Sequence, residues 1–188
     1  ILQLYNKGAI SPEEFGTFAR QVEGDLNKTS MLVENILYWT TSQLKGIQVN
    51  ITTFNVYTVV EETMQLLSNN AQKKKITVRH TTPASLEVTT DRNIIQLVLR
   101  NLLANAIKFS FEGGAIDIAV ERTGEHIRIT VIDHGMGMEQ DTIEKLLTSE
   151  TTVSTRGTHN DQGTGLGIAL CRDDGAKING ELLIKSEL

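Results

Sequence analysis

Residues 116–120 and 127–131 alternate one by one: Ile116, Ile118 and Val120 in the first run, Ile127, Ile129 and Val131 in the second, with polar or small residues between. A period of two describes strands with one apolar face. Thr123-Gly124-Glu125 between the runs reads as a tight turn, so the pair forms an antiparallel hairpin. Such a hairpin needs a cover for its apolar face. The cover stands just upstream. In the helix expected from Asp91 to about Phe109 (DRNIIQLVLRNLLANAIKF), Ile95, Leu99, Leu102, Leu103 and Ala106 share one broad face at 100° per residue. A sheet with helices on one side is what these pieces can build.

The remaining elements agree. Residues 47–54 read as a short strand and 56–74 as a helix, with strands at 76–80 and 86–89. A short helix near 142–147, a polar loop at 148–162, a helix from Gly165 and a strand at 181–186 complete the order. The fold class expected is α+β, a two-layer α/β sandwich whose mostly antiparallel mixed sheet is covered by helices on one face.

Gly46 marks a boundary, dividing the chain into residues 1–46 and 47–188. Ser11-Pro12-Glu13-Glu14 is a helix start, with an N-cap serine, proline at the first helical position and acid in the first turn. Phe15, Phe18, Val22, Leu26, Val33, Ile36 and Leu37 then keep helical spacing to about Lys45. A helix that long suits a bundle or coiled coil. Residues 1–8 read as the tail of a preceding helix that stops at Gly8.

Composition excludes several classes. Hydrophobic content of 39% and charged content of 22% are globular values, and a formal charge of −5 argues against a nucleic-acid partner. The one basic run, Lys73-Lys74-Lys75, falls at a helix end and reads as a solvated complement to the helix dipole. Cys171 is the single cysteine, which leaves no disulfide framework and no Cys-based metal site. No apolar run approaches the ~20 residues of a membrane span, and no signal peptide is present. Beginning at Ile1 without methionine, the chain reads as an excised soluble, cytoplasmic fragment, any anchor in the inner membrane lying in parts outside it.

Three short motifs carry chemistry. In GTGLGIAL, residues 163–170, glycine at alternate positions lets a backbone approach a ligand, and the helix behind it directs free N–H groups at an anion. A flexible loop before a helix is the plainer reading. A P-loop is excluded because no Gly-Lys pair occurs, and a dinucleotide fold because residues 148–162 are a polar loop rather than a strand. On the helix of residues 91–109, Asn101, Asn105 and Lys108 fall together in a narrow arc away from the core. A solvent-exposed surface would look the same, yet asparagine is a mediocre helix former and two at i and i+4 stand out. After the strand ending at Ile132 comes DHGMGM, whose Asp133, Gly135 and Gly137 form either a plain turn or a carboxylate beside a gap for a ring.

Taken together, in this order and spacing, these motifs resemble the ATP-binding domain of bacterial sensor histidine kinases, in the superfamily that includes gyrases and mismatch-repair ATPases. The resemblance covers residues 47–188. ENILYWTTSQLKG and the helix before it look like the second helix of the dimerisation and phosphotransfer domain. The resemblance implies ATP and Mg²⁺ as ligands, with Asn105 holding the metal and Asn101 beside it. An amide oxygen suits a hard cation already held by phosphate and water. It further implies Lys108 on phosphate oxygens, Phe109 near the adenine, Asp133 reading the base between Gly135 and Gly137, and Gly163, Thr164, Gly165, Leu166 and Gly167 closing over the phosphates. Residues 148–162 correspond to the lid, with Arg156 either a phosphate contact or solvent-facing; the lid is expected to gain order from the nucleotide. The implied activity is transfer of the γ-phosphoryl group to a histidine of the dimerisation domain, within a homodimer that signals to a response regulator receiver domain. Hydrolases of the superfamily tend to carry glutamate where Asn101 stands; asparagine cannot serve as general base.

The match also departs from the family. His80, His126, His134 and His159 all follow residue 47, and none opens a His-Asp/Glu-x-x-x-x-Pro pattern, so the acceptor is expected to lie outside the chain. His134 and His159 read as surface residues. The phenylalanine-rich segment before the lid is reduced to Leu146-Leu147. After Leu166 and Leu170 the next core position of the final helix is Asp174, followed by Gly175. An unpaired buried aspartate costs several kcal/mol, so that helix is expected to end early or reorient. Two other readings remain: a degenerate ATP-binding or phosphatase-supporting module or related ATPase, and a structural dimeriser with vestigial glycine loops.

Overall fold

The computed structural model describes residues 5, 6, 8–22, 26, 29, 33, 49–148, 157, 158 and 165–188. The chain divides into two compact units, Ile1–Ile47 and Gln48–Leu188. In the first, residues 12–22 are helical. Ser11 starts them through a reciprocal pair: its Oγ accepts from Glu14 N at 3.2 Å, and its N donates to Glu14 Oε2 at 2.8 Å. This is the capping box that the sequence spells. The bond from the Ser11 backbone is the main reason the Glu14 carboxyl lies below its usual range. Gly8, at φ 69°, donates its N–H to Tyr5 O at 2.9 Å and closes the turn upstream. Phe18, Val22, Leu26 and Val33 of the apolar stripe are exposed. Ile36, Leu37 and the expected course to Lys45 lie outside the described residues.

The second unit runs β1 (Ile51–Asn55), α1 (Val56–Lys73), β2 (Thr77–His80), β3 (Glu87–Asp91), α2 (Arg92–Phe109), β4 (Ala115–Thr123), β5 (His126–Asp133), α3 (Gln140–Thr148) and α4 (Gly167–Lys177). The hairpin β4–β5 turns at Gly124, and its register sets Ile118 against Val131 and Val120 against Ile129. β2 adds to β4 in parallel, with Val78 opposite Ile116, and β1 pairs antiparallel with β3 as a separate two-stranded ladder. Val59, Val60 and Leu67 of α1, Leu99, Leu103 and Ala106 of α2, and Ile116, Ile118 and Val120 of β4 form one core cluster. Burying both helices on the apolar face of the hairpin closes the two layers. Among the described residues no helix is long and apolar enough to cross a membrane.

Two expectations are corrected. Residues 181–186 are not a strand. Leu182 and Ile184 are half-buried while Leu183 is exposed, so burial alternates along the segment although no strand pairs with it. The segment is held by other means, Met138 N donating to Ser186 Oγ at 2.9 Å. Alternation reports burial; it does not guarantee a ladder. Nor does the last helix end at Asp174, since α4 continues to Lys177. Asp174 is 1% exposed, but Lys177 one turn on reaches its Oδ1 at 2.7 Å, so the buried carboxyl is paired within the helix that carries it. Its Oδ2 has no hydrogen-bond partner among the described residues.

Candidate functional site

The site is organised along α2. Asp91 fixes the helix start: its Oδ1 accepts from Asn93 N at 2.9 Å and Ile94 N at 3.2 Å, and its Oδ2 accepts from Asn50 N at 2.7 Å. Nearly three turns on, Asn101 is only 8% exposed and donates Nδ2 to Leu97 O at 3.1 Å. The polar arc is therefore not open surface at this point. Its cover is the start of α4: a Cβ on Gly167 would stand 3.2 Å from Asn101 Oδ1 and 3.8 Å from Asn105 Nδ2. Glycine lets the α4 backbone settle onto the amide stripe. The helix begins after Gly165 (φ 72°) with Leu166 as N-cap, a residue that has no capping side-chain atom. The first turn of α4, at Gly167, thus lies beside Asn101 and Asn105. Gly163, Thr164, Arg156 and His159 lie outside the described residues.

At the far end of α2, about 12 Å along the axis from Asn101, Lys108 Nζ sits 4.5 Å from the centroid of the Phe109 ring. The turn after β5 is pinned to this end by backbone contacts. Gly135 bridges Ser110, Met136 N donates to Phe109 O at 3.2 Å, and Gly135 N donates to Asp133 Oδ1 at 3.0 Å. A Cβ on Gly135 would overlap the Phe109 carbonyl oxygen, and one on Gly137 the Glu187 carbonyl oxygen. Asp133 itself is exposed at the strand end. His134 is likewise exposed, with Nδ1 3.3 Å from Ala115 O. Two sequence-distant motifs, Asp133–Gly137 and Gly165–Gly167, are thus set against one helix, the first at its C-terminal end and the second at its middle turns.

Three residues of this region were not singled out by their sequence pattern. Lys74, read as part of a solvated run, is 6% exposed. Its Nζ donates to Ile107 O at 2.7 Å, Lys108 O at 2.9 Å and Ser110 O at 2.8 Å, satisfying the end of α2 rather than of its own helix. Thr158 also meets that end, its Oγ1 donating to Ser110 O at 2.7 Å. Ser110 is buried, and its Oγ has no partner among the described residues. Among those residues no three or more His, Cys, Asp and Glu side chains gather as a metal site.

A model of the histidine kinase-, DNA gyrase B- and HSP90-like ATPase family matches residues 90–188, just over half of the chain. The chain belongs to that family. The catalytic domain of histidine kinase ThkA, in a nucleotide-free form, is 30% identical with a TM-score of 0.60, covering 69% of this chain and 82% of that one. Within the histidine kinase-, gyrase- and HSP90-like ATPases, the chain thus carries the ATP-binding catalytic domain of a sensor histidine kinase. The sensor-like histidine kinase SenX3 of Mycobacterium tuberculosis is 28% identical over 181 residues, which are 95% of this chain and 44% of that protein. The chain therefore spans less than half the length of this relative. The histidine kinase AdeS of Acinetobacter baumannii has the same fold, with a TM-score of 0.70 at 23% identity over 99% of this chain and 85% of that one. The matched residues include all of α2 and the Gly165–Gly167 segment.

Proposed function

We propose that residues 48–188 hold Mg²⁺·ATP along α2 and transfer its γ-phosphoryl group to a histidine on a dimerisation helix. The observation that carries this reading is the convergence of Asp133–Gly135 on Phe109 and of Gly167 on the Asn101–Asn105 stripe. The donor set fits such a ligand. Asp133 offers a carboxylate to the adenine amino group, and Phe109 an apolar face to the ring. Lys108 lies one residue away with the charge a phosphate requires. Asn105 presents an amide to the metal, whose other ligands are phosphate and water. The N-terminus of α4, with Gly165 to Gly167 and by extension Gly163 and Thr164, supplies backbone N–H groups. When bound, Mg²⁺·ATP brings the phosphoryl group and neutralises part of its charge, while the protein positions it. Asn101, buried beneath Gly167, has no basic atom to activate water, which favours transfer over hydrolysis.

Residues 1–46 complete the reading as the end of a dimerisation domain. The exposed Phe18, Val22, Leu26 and Val33 would pack in a two-fold helical bundle, with a response regulator receiver domain as the partner that takes the phosphoryl group. The test is transfer in trans. Incubated with γ-labelled ATP, the chain alone is expected to yield no acid-labile phosphohistidine. Adding the parent protein's first dimerisation helix, within its own domain, is expected to give label on that segment, and Asn105→Ala to abolish it. Label on any of the four histidines of this chain would show that the acceptor is misplaced. Binding of Mg²⁺·ATP with no label on the supplied domain would favour a binding-only module.

A further inference from the structure

The last carbonyls of a helix have no partner within it. In α2 these belong to the turn that carries Lys108 and Phe109, and they are met from outside by Lys74. Its Nζ reaches three carbonyls, of Ile107, Lys108 and Ser110, and also the hydroxyl of Thr158 at 2.7 Å. Thr158 closes the arrangement on the same atoms: Oγ1 donates to Ser110 O at 2.7 Å, and its N–H to Lys108 O at 3.3 Å. Gly157 beside it lies so close that a Cβ there would stand 2.6 Å from Lys108 Cγ. From the other side, Gly113 N donates to Lys74 O at 2.9 Å. An ammonium has three hydrogens to give, so four acceptors around Nζ leave the hydroxyl sharing a donor with the carbonyls. The ammonium lies at the negative end of the α2 dipole and is nearly out of water, where a charge is kept only by hydrogen bonds.

We infer that Lys74 is a positioning residue for the nucleotide site: it holds the last turn of α2 in place and clips Thr158 to that turn, so that Lys108 and Phe109 face the ligand together. This rests on the reading of Lys108 and Phe109 as nucleotide contacts. A lysine serving only to end a helix would need only the carbonyls. Here the same nitrogen also binds a hydroxyl 84 residues away in sequence, and that hydroxyl binds the same carbonyls. Lys74 also precedes residues 90–188, the part matched by the family.

The test uses the whole chain, with Mg²⁺·ATP titrated calorimetrically and thermal unfolding followed in parallel. Thr158→Val keeps the shape and removes the hydroxyl; it is expected to weaken Mg²⁺·ATP about three- to tenfold with an unchanged unfolding midpoint. Lys74→Met is expected to weaken binding further, and the double variant to bind no more weakly than Lys74→Met alone, because the two residues act as one unit. Lys74→Met leaves buried carbonyls unmet and can fail to fold, so the ammonium is also read directly. A slowly exchanging lysine ¹H–¹⁵N signal is expected in the unaltered chain, shifting when Mg²⁺·ATP is added. Additive losses, or Thr158→Val binding within twofold of the unaltered chain, would overturn the inference. So would an ammonium signal insensitive to nucleotide. No binding by the unaltered chain would instead overturn the nucleotide reading, and this inference with it.

Discussion

Asp133→Asn is expected to bind Mg²⁺·ATP about 10- to 100-fold more weakly than the unaltered chain, with the fold intact. The side chain is exposed at the end of β5, and its one hydrogen bond among the described residues runs from Gly135 N to Oδ1. The amide oxygen of asparagine can keep that bond. What changes is the second atom, where an NH₂ donor replaces an acceptor and meets the donor hydrogens of the adenine amino group. Two donors facing each other lose the bond and add a repulsion. Calorimetry gives the affinity and a urea titration the stability. Wild-type affinity in this variant would place the base elsewhere.

Gly135→Ala is expected to damage both stability and binding. The new Cβ would overlap the Phe109 carbonyl oxygen and stand 2.7 Å from Asp133 Oδ1, contacts that only a backbone shift can relieve. Overpacking of this kind costs about 1–3 kcal/mol. The shift would carry Asp133 away from Phe109 and so separate the two groups assigned to the adenine. Gly124→Ala is the control. At φ 64° with open space around it, it is expected to cost a similar 1–2 kcal/mol or so from backbone strain alone. Its affinity for Mg²⁺·ATP should stay that of the unaltered chain. If both variants lose affinity equally, the loss follows stability and Gly135 has no special place in the seat.

Local periodicity made most of the second unit legible. The alternating hairpin, the helix start at Ser11 and most of the apolar face of α2 each depend on neighbours within a turn or a strand pair and stand where the sequence puts them. Leu102, read as core, is only half-buried and outside the core cluster. The other three misreadings have one physical source, which is that a pattern gives the environment of a side chain without naming its partner. Positions 182 and 184 alternate in burial although no ladder pairs them. Asp174 falls at a core position, as its spacing from Leu170 says, but Lys177 reaches it and the helix continues. Lys74 lies three residues after Ala71 and seven after Leu67, both on the buried face of α1. The helical period thus does extend burial to it, and the run of three lysines concealed that. The contacts at Thr158 depend on a separation that no local pattern encodes.

Cys171 lies under α2, 1% exposed, with Sγ 3.7 Å from Val98 O. Burial, with Asp174 adding to it, pushes its thiol up to about 12. At neutral pH the sulfur is thus both protonated and shielded, and a thiol reagent has to wait for α4 to lift before a thiolate can form and react. Gly167 is one helical turn away on the same helix, so an opening that bares the sulfur also uncovers Asn101. The chain has one cysteine, and the rate at which reagent consumes it is a clock for how often Gly167 and Asn101 come apart. A ligand that bridges α2 and α4 slows that clock in proportion to the time it holds them together.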